Sequence, residues 1–302
     1  MPDWFELHTK LAAMQSHHDR LRRSFAKKLA QLTKRNVILY YSGWLQKNLP
    51  PEATDFSISD ADKTGFMTVI HRLNPAKGLD LILHTPGGDM AATESIIYYL
   101  RSIFGNNIRA IIPQISMSGG AMIACACKEI IMGKQSNIGP FDPQIQGTPS
   151  QAILEDLNRA VSEMMQNHQM AMLWQPILQR YNLGFFALCE NAIKMADEVV
   201  RKSLIECMFE NEQDAAIKAD KIIKKLGSHS ATKTHARHIH KDEAKELGLK
   251  IVDLEDDAQL QDAVLSLHHA CILTLEQTAA VKIIENHLGK AHIRMVMPQP
   301  MR

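Results

Sequence analysis

The chain lacks a charge bias, a long apolar run and a cysteine framework, and each lack excludes a class of function. Net charge is +1 over 302 residues, with 34 Lys and Arg against 33 Asp and Glu. A balance this even supplies no global field to draw in nucleic acid or an anionic membrane surface. No stretch approaches the ~18 uninterrupted apolar residues that a spanning helix needs. The opening MPDWFELHTKLAAMQSHHDRLRRSF has no apolar core of a signal peptide. The expectation is a chain with no membrane span and no nucleic-acid partner. The five cysteines are odd in number and scattered, which predicts free thiols and a reducing, cytoplasmic compartment. Cys125 and Cys127 have no second Cys/His pair at zinc spacing, so they read as small buried hydrophobes. No GxxxxGK[ST] loop occurs, so any dependence on ATP would have to come from another chain.

What is present is an ordinary globular composition, 45% hydrophobic and 22% charged, long enough for a sizeable core. Residues 1–34 hold no glycine and interleave apolar with basic positions, predicting a helical segment whose basic run Arg20–Arg35 is a solvated face. A core then runs over 35–150. Within it Asn36–Ser42 (NVILYYS) reads as a strand, and residues 49–62, with Pro50 and Pro51, as a loop. A helix capped by Asp60 or Asp62 runs through Leu73. Leu79–His84 is an almost continuous apolar run, as expected of a strand buried on both faces. Pro86, Gly87 and Gly88 turn the chain into a helix over 90–104. A strand over 108–115, a helix over 118–127 and a strand over 129–132 follow. Strand and helix alternating through short turns predict an α/β fold with right-handed crossovers and a mostly parallel sheet.

After Pro149 the pattern becomes helical and rich in Met, Ala, Leu and Glu, a helical insert over 151–228. Residues 229–257 return to the core as a His-rich loop, a short helix over 241–248 and a strand over 250–254. The segment 258–302 reads as a last long helix over 259–288 and a frayed tail at Pro298 and Pro300.

Attack on an acyl carbon needs an activated nucleophile, a proton acceptor, and donors aimed where the oxyanion forms. Ser118 stands at the mouth of a helix after a strand, where free N–H groups favour developing negative charge. Gly119 and Gly120 allow close approach to the backbone, and Gly87 and Gly88 of the preceding strand–helix turn supply a further N–H. The competing reading of the same residues is that both glycine pairs serve only tight packing.

The stretches HTPGGDMAATESIIYYLRS and ISMSGGAMIACACKEIIMGKQSNIGPFDPQI resemble the Clp/crotonase-like serine peptidases, most closely the serine dehydrogenase proteinase family. That family is related to signal peptide peptidase A and to the Clp proteolytic subunit. The resemblance takes in NVILYYSGW and FMTVIHRL and resumes at HARHIHKDEAKELGLKIVD. It implies a Clp/crotonase-like spiral of βα units, a peptide or protein substrate, no cofactor, and assembly into homo-oligomers. It places Ser118 on the nucleophile, Gly87 or Gly88 with Gly119 on the oxyanion hole, and the segment carrying Asp142 on the wall of the substrate channel.

The general base does not carry over. The chain has no histidine between His84 and His168 and no lysine between Lys134 and Lys194. Asp142 stands near where the Clp subunit keeps its histidine. His235 and His238, before the late helix, remain as candidate proton acceptors. His84 reads as a core histidine bonded to backbone, and Lys194 and Lys202 would need desolvation to act as bases. His229, His235, His238 and His240 lack metal-ligand spacing. Three readings stay open: a serine peptidase acting through an acyl-enzyme on Ser118, a non-catalytic scaffold of the same fold, and a crotonase-like acyl-thioester enzyme.

Overall fold

A computed structural model describes residues 18–47 and 56–296. The first half of the core comprises α1 (His18–Thr33), β1 (Asn36–Ser42), α2 (Asp60–Ile70), β2 (Leu79–His84) and α3 (Met90–Phe104). It continues through β3 (Ile108–Ile112), β4 (Ile115–Ser116), α4 (Gly119–Cys125), β5 (Glu129–Met132) and β6 (Asn137–Ile138). A small hairpin, β7 (Gln144–Ile145) and β8 (Thr148–Pro149), leads into α5 (Ser150–Gln166), α6 (Ala171–Leu178), α7 (Phe185–Ser203) and α8 (Ala215–Leu226). The rest is α9 (His229–Thr232), β9 (Ile239–His240), α10 (Lys241–Leu247), β10 (Ile251–Asp253), α11 (Ala258–Gln277), β11 (Ala280–Asn286) and β12 (Ala291–Met295).

The main sheet has seven strands in the order β10–β5–β3–β2–β1–β11–β12. The run from β10 to β1 is parallel, and β11 and β12 each pair antiparallel with the strand before them in that order. Strand alternation sorts the core onto two faces. Ile38 and Tyr40 of β1 and Leu79, Leu81 and Leu83 of β2 pack with α2, α3, α4, α7 and α8. Val37, Leu39 and Tyr41 of β1 and Ile82 of β2 pack with α1 and α11. The result is the expected α/β architecture, a mostly parallel sheet between helical layers.

Three local expectations are corrected. The last helix ends at Gln277 instead of continuing to Leu288. Thr278 is extended, and the following Val281, Ile283 and Ile284 enter β11, whose register with β1 pairs Ser42 with Lys282. Sheet pairing of a β-branched run overrides the helical pattern there. The strand expected over 108–115 is interrupted at Pro113, which has no N–H to give to a ladder, and the chain resumes as β4 beside β6. In the basic run of α1, Arg22 is fully buried, with Nε 2.5 Å from the equally buried Glu285, so one face of that run is core. The predicted helical reading of 1–17, the loop over 49–55 and the tail at Pro298 and Pro300 lie outside the described residues.

Among the described residues no helix is long and apolar enough to cross a membrane. The helical segment that follows β8 leaves Met165, Met172, Leu173, Leu183 and Leu188 exposed.

Candidate active site

Ser118 ends β4's connection to α4 with φ 49° and ψ −118°, a left-handed backbone conformation that L-residues seldom adopt. Such strain persists only where surrounding structure enforces it. The enforcement is visible. Met117 N donates to Thr85 O at 3.0 Å, and Gly139 N donates to Ser116 O at 3.0 Å, gripping the strand before the turn from both sides. Gly120 N returns to Met117 O at 2.8 Å as α4 begins. Ser118 occupies the N-cap position, yet its side chain makes no capping bond. Its hydroxyl is therefore not spent on its own helix.

Gly87 and Gly88 follow β2 on the neighbouring turn. Gly87 has φ +91°, and a Cβ there would stand 2.5 Å from Ser118 Cβ and 2.7 Å from Met117 O. Only glycine lets the two turns approach this closely. A Cβ on Gly88 would collide with the backbone of Ile58, and one on Gly119 would lie 2.5 Å from Thr93 Oγ1 and 3.5 Å from Gly88 N. The amide of Gly88 thus lies on the Gly119 side of its turn. The turn is also held by Ile58, whose N donates to Gly87 O at 2.7 Å and whose O accepts from Asp89 N at 2.9 Å. Asp89 also caps α3, accepting from Ala92 N at 2.7 Å.

The third component arrives through the small sheet β4–β6–β9. β4 pairs parallel with β6, and β6 antiparallel with β9, setting Ile138 opposite Ile239. Continuing that antiparallel register sets Asp142 opposite His235. The side chains meet there: His235 Nδ1 is 2.8 Å from Asp142 Oδ1. A carboxylate accepts, so the neutral ring tautomer that makes this bond donates through Nδ1 and leaves the lone pair on Nε2. Asp142 is almost fully buried, and a second histidine, His229, has Nδ1 3.6 Å from its other oxygen. His229 N donates to Gln151 Oε1 at 2.8 Å. A cleft of about 480 Å³ is lined by Trp44, Pro86, Met117, His229, Thr234 and His235, among others. Pro86 and Met117 are the residues just before Gly87 and Ser118.

The other expected candidates are placed elsewhere. His238, just before β9, and His240, its last residue, are exposed. Lys194 and Lys202 are exposed on α7, so neither has the desolvation a lysine base requires. His84 is core, as expected, but neither ring nitrogen has a hydrogen-bond partner among the described residues. It packs instead among Trp44, Tyr41 and His268, with centroid distances of 4.6, 5.3 and 5.5 Å. Burial pushes its pKa down to about 3. The five cysteines are free and buried, and burial raises Cys125 to about 12, consistent with a role in packing. Sequence reasoning missed the Asp142–His235 pairing, and with it His229, Trp44 and Ile58. The first two were within reach, because Asp142 and the His-rich loop were both recognised but not joined.

A mostly parallel sheet with a strained serine turn and a double-glycine turn at the carboxyl ends of adjacent strands defines an α/β protein of the Clp/crotonase type. The sequence model described as ClpP-like SDH-type serine proteinase matches residues 56–284, and the chain belongs to that family. It is similar to two proteins of Methanocaldococcus jannaschii. With uncharacterized protein MJ1495 it shares 35% identity over 173 residues, 57% of this chain and 51% of that protein. With uncharacterized protein MJ0137 it shares 36% identity over 98 residues, 32% of this chain and 34% of that protein. The chain thus spans about half the length of the first of these curated relatives and about a third of the second.

Proposed function

We propose that the chain is a serine peptidase that cleaves peptide bonds through an acyl-enzyme on Ser118. The observation that carries this reading is the Asp142–His235 pair, with His235 lining a cleft together with Pro86 and Met117, the residues just before Gly87 and Ser118. His235 Nε2 accepts the Ser118 hydroxyl proton as Oγ attacks the scissile carbonyl carbon. The Gly88 and Gly119 amides donate to the oxyanion. The proton then passes from His235 to the leaving amine as the C–N bond breaks. A water, activated by the same nitrogen, hydrolyses the ester and restores Ser118. Asp142 holds the ring in the tautomer this requires, and each amide donor contributes ~100- to 1,000-fold in rate. Family membership supports a peptide or protein substrate. The free, buried cysteines support a cytoplasmic setting, and the exposed Met165, Met172 and Leu173 support self-association.

The test is covalent labelling with a fluorophosphonate, read by intact mass. Wild-type protein gains one adduct on Ser118, and Ser118→Ala gains none. A folded wild-type protein that stays unlabelled returns the chain to the non-catalytic scaffold. Turnover of acyl thioesters but not peptides would favour the crotonase-like alternative.

A further inference from the structure

Behind the glycine turn lies a buried ion pair that no part of the proposed chemistry uses. Lys282 on β11 and Asp62 on α2 are both almost completely buried, with Nζ 3.0 Å from Oδ1 and 2.9 Å from Oδ2. Asp62 Oδ2 also accepts from the Tyr40 hydroxyl at 2.7 Å and from Ser59 N at 3.0 Å. Lys282 Nζ donates in addition to Ser57 O at 2.7 Å. The contacts alternate along the chain. Ser57 and Ser59 are held by the ion pair, and Ile58, between them, bonds to Gly87 O and from Asp89 N. Ser42 Oγ fixes the preceding residue by donating to Phe56 O at 2.7 Å.

Burying two charges is costly, and an apolar pair of similar volume would often be as stable. A pair that keeps its charges and also bonds the backbone on both sides of Ile58, at Ser57 O and Ser59 N, has a use for that direction. From this geometry, and resting on the peptidase reading of Ser118, we propose that Lys282 is a positioning residue for the oxyanion turn. It acts through Asp62 and the Ser57 carbonyl on residues 57–59. Those residues fix Gly87–Asp89 and so the aim of the Gly88 amide. Lys282 touches no reacting atom. An error of 1 Å in that amide is enough to cost ~100-fold.

The experiment is site-resolved amide hydrogen exchange on the full chain, comparing wild type with Lys282→Met and Asp62→Asn. The Ile58 and Asp89 amides, whose bonds tie the two segments together, should exchange at least tenfold faster in both variants. The Leu81 and Leu83 amides of β2 should keep their protection. Wild-type exchange at Ile58 and Asp89 overturns the proposal, and so does equal acceleration at β2, which marks a general loss of stability. If Lys282→Met does not fold, Asp62→Asn, which retains an acceptor for Tyr40 or Ser59, carries the comparison alone. A peptide boronate gives a second readout, because its tetrahedral adduct occupies the oxyanion hole. Its affinity should fall at least tenfold in the variants while an unreactive peptide of the same sequence binds as before, and parallel losses count against positioning. The exchange measurement does not depend on Ser118 being reactive. An unlabelled wild type therefore sinks the peptidase reading, whereas unchanged exchange sinks the positioning role.

Discussion

His235 Nδ1 stands 2.8 Å from Asp142 Oδ1, across 93 residues of sequence. The carboxylate is nearly sealed from solvent, and its other oxygen faces His229 Nδ1 at 3.6 Å without a hydrogen bond. A buried acceptor with one strong partner fixes that partner's orientation, which is the service a general base needs.

Replacing His235 by Ala should lower kcat for peptide hydrolysis by ~100- to 10,000-fold, the usual range for a positioned base. Asp142→Asn should produce a loss of the same order, because an amide can donate to Nδ1 and shift the ring proton to Nε2. His238→Ala, an exposed position, should stay within about twofold of wild type. Steady-state kinetics on one fluorogenic peptide decides among the three. Full activity in His235→Ala would remove it from the mechanism.

Gly88→Ala should be destabilising by about 1–3 kcal/mol, the range for overpacking, because the new Cβ collides with Ile58 backbone. It should also lower the fluorophosphonate labelling rate. Gly105→Ala is the matched control: φ is +59° there and a Cβ meets nothing within 4 Å. It should carry only the conformational cost of roughly 1–2 kcal/mol with labelling unchanged. Urea midpoints and labelling rates read both effects, and equal labelling in the two variants would dissociate Gly88 from the site.

Asp197, half-buried on α7, has its pKa raised by desolvation from 3.8 to about 6. The folded state therefore holds this proton more tightly than the unfolded chain. The stability associated with it is present below pH 3.8 and is lost as pH rises through about 6. Asp197→Asn should accordingly raise the Tm relative to wild type at pH 7.5, with the difference shrinking to nothing below pH 4. Thermal scans across that range check it, and a difference independent of pH would point to packing instead of charge.

His84 has the opposite sign. Its folded-state pKa of about 3 lies below the ordinary 6.5, so the unfolded chain takes up the proton first. Stability is complete above pH 6.5 and declines on acidification by up to ~1.4 kcal/mol per pH unit until the folded pKa is reached. His84→Phe, which retains a ring against Trp44 and Tyr41, should shift the acid-unfolding midpoint to lower pH. An unmoved midpoint would assign the acid sensitivity to other groups, His268 first among them.

The sequence was most legible where one strand or helix is defined by its own residues. β1, β2, α3 and β5 fall on the spans expected from apolar runs bounded by glycine, proline or aspartate. The nucleophile turn was legible for the same reason, since glycines and Ser118 sit together in the chain. What was hidden depends on pairing at a distance. β11 reads as helix until β1 is there to receive it. Arg22 reads as solvated until Glu285 is brought beneath it. The Asp142–His235 pair comes from the register of two short strands, β6 and β9, which no local periodicity announces.

Lys282 enters the ribosomal exit late, some two hundred residues after Asp62. Until β11 is made and pairs with β1, Asp62 lacks the cation it meets in the folded protein. The aim of the Gly88 amide proposed above would therefore be set only once β11 has been made and paired with β1.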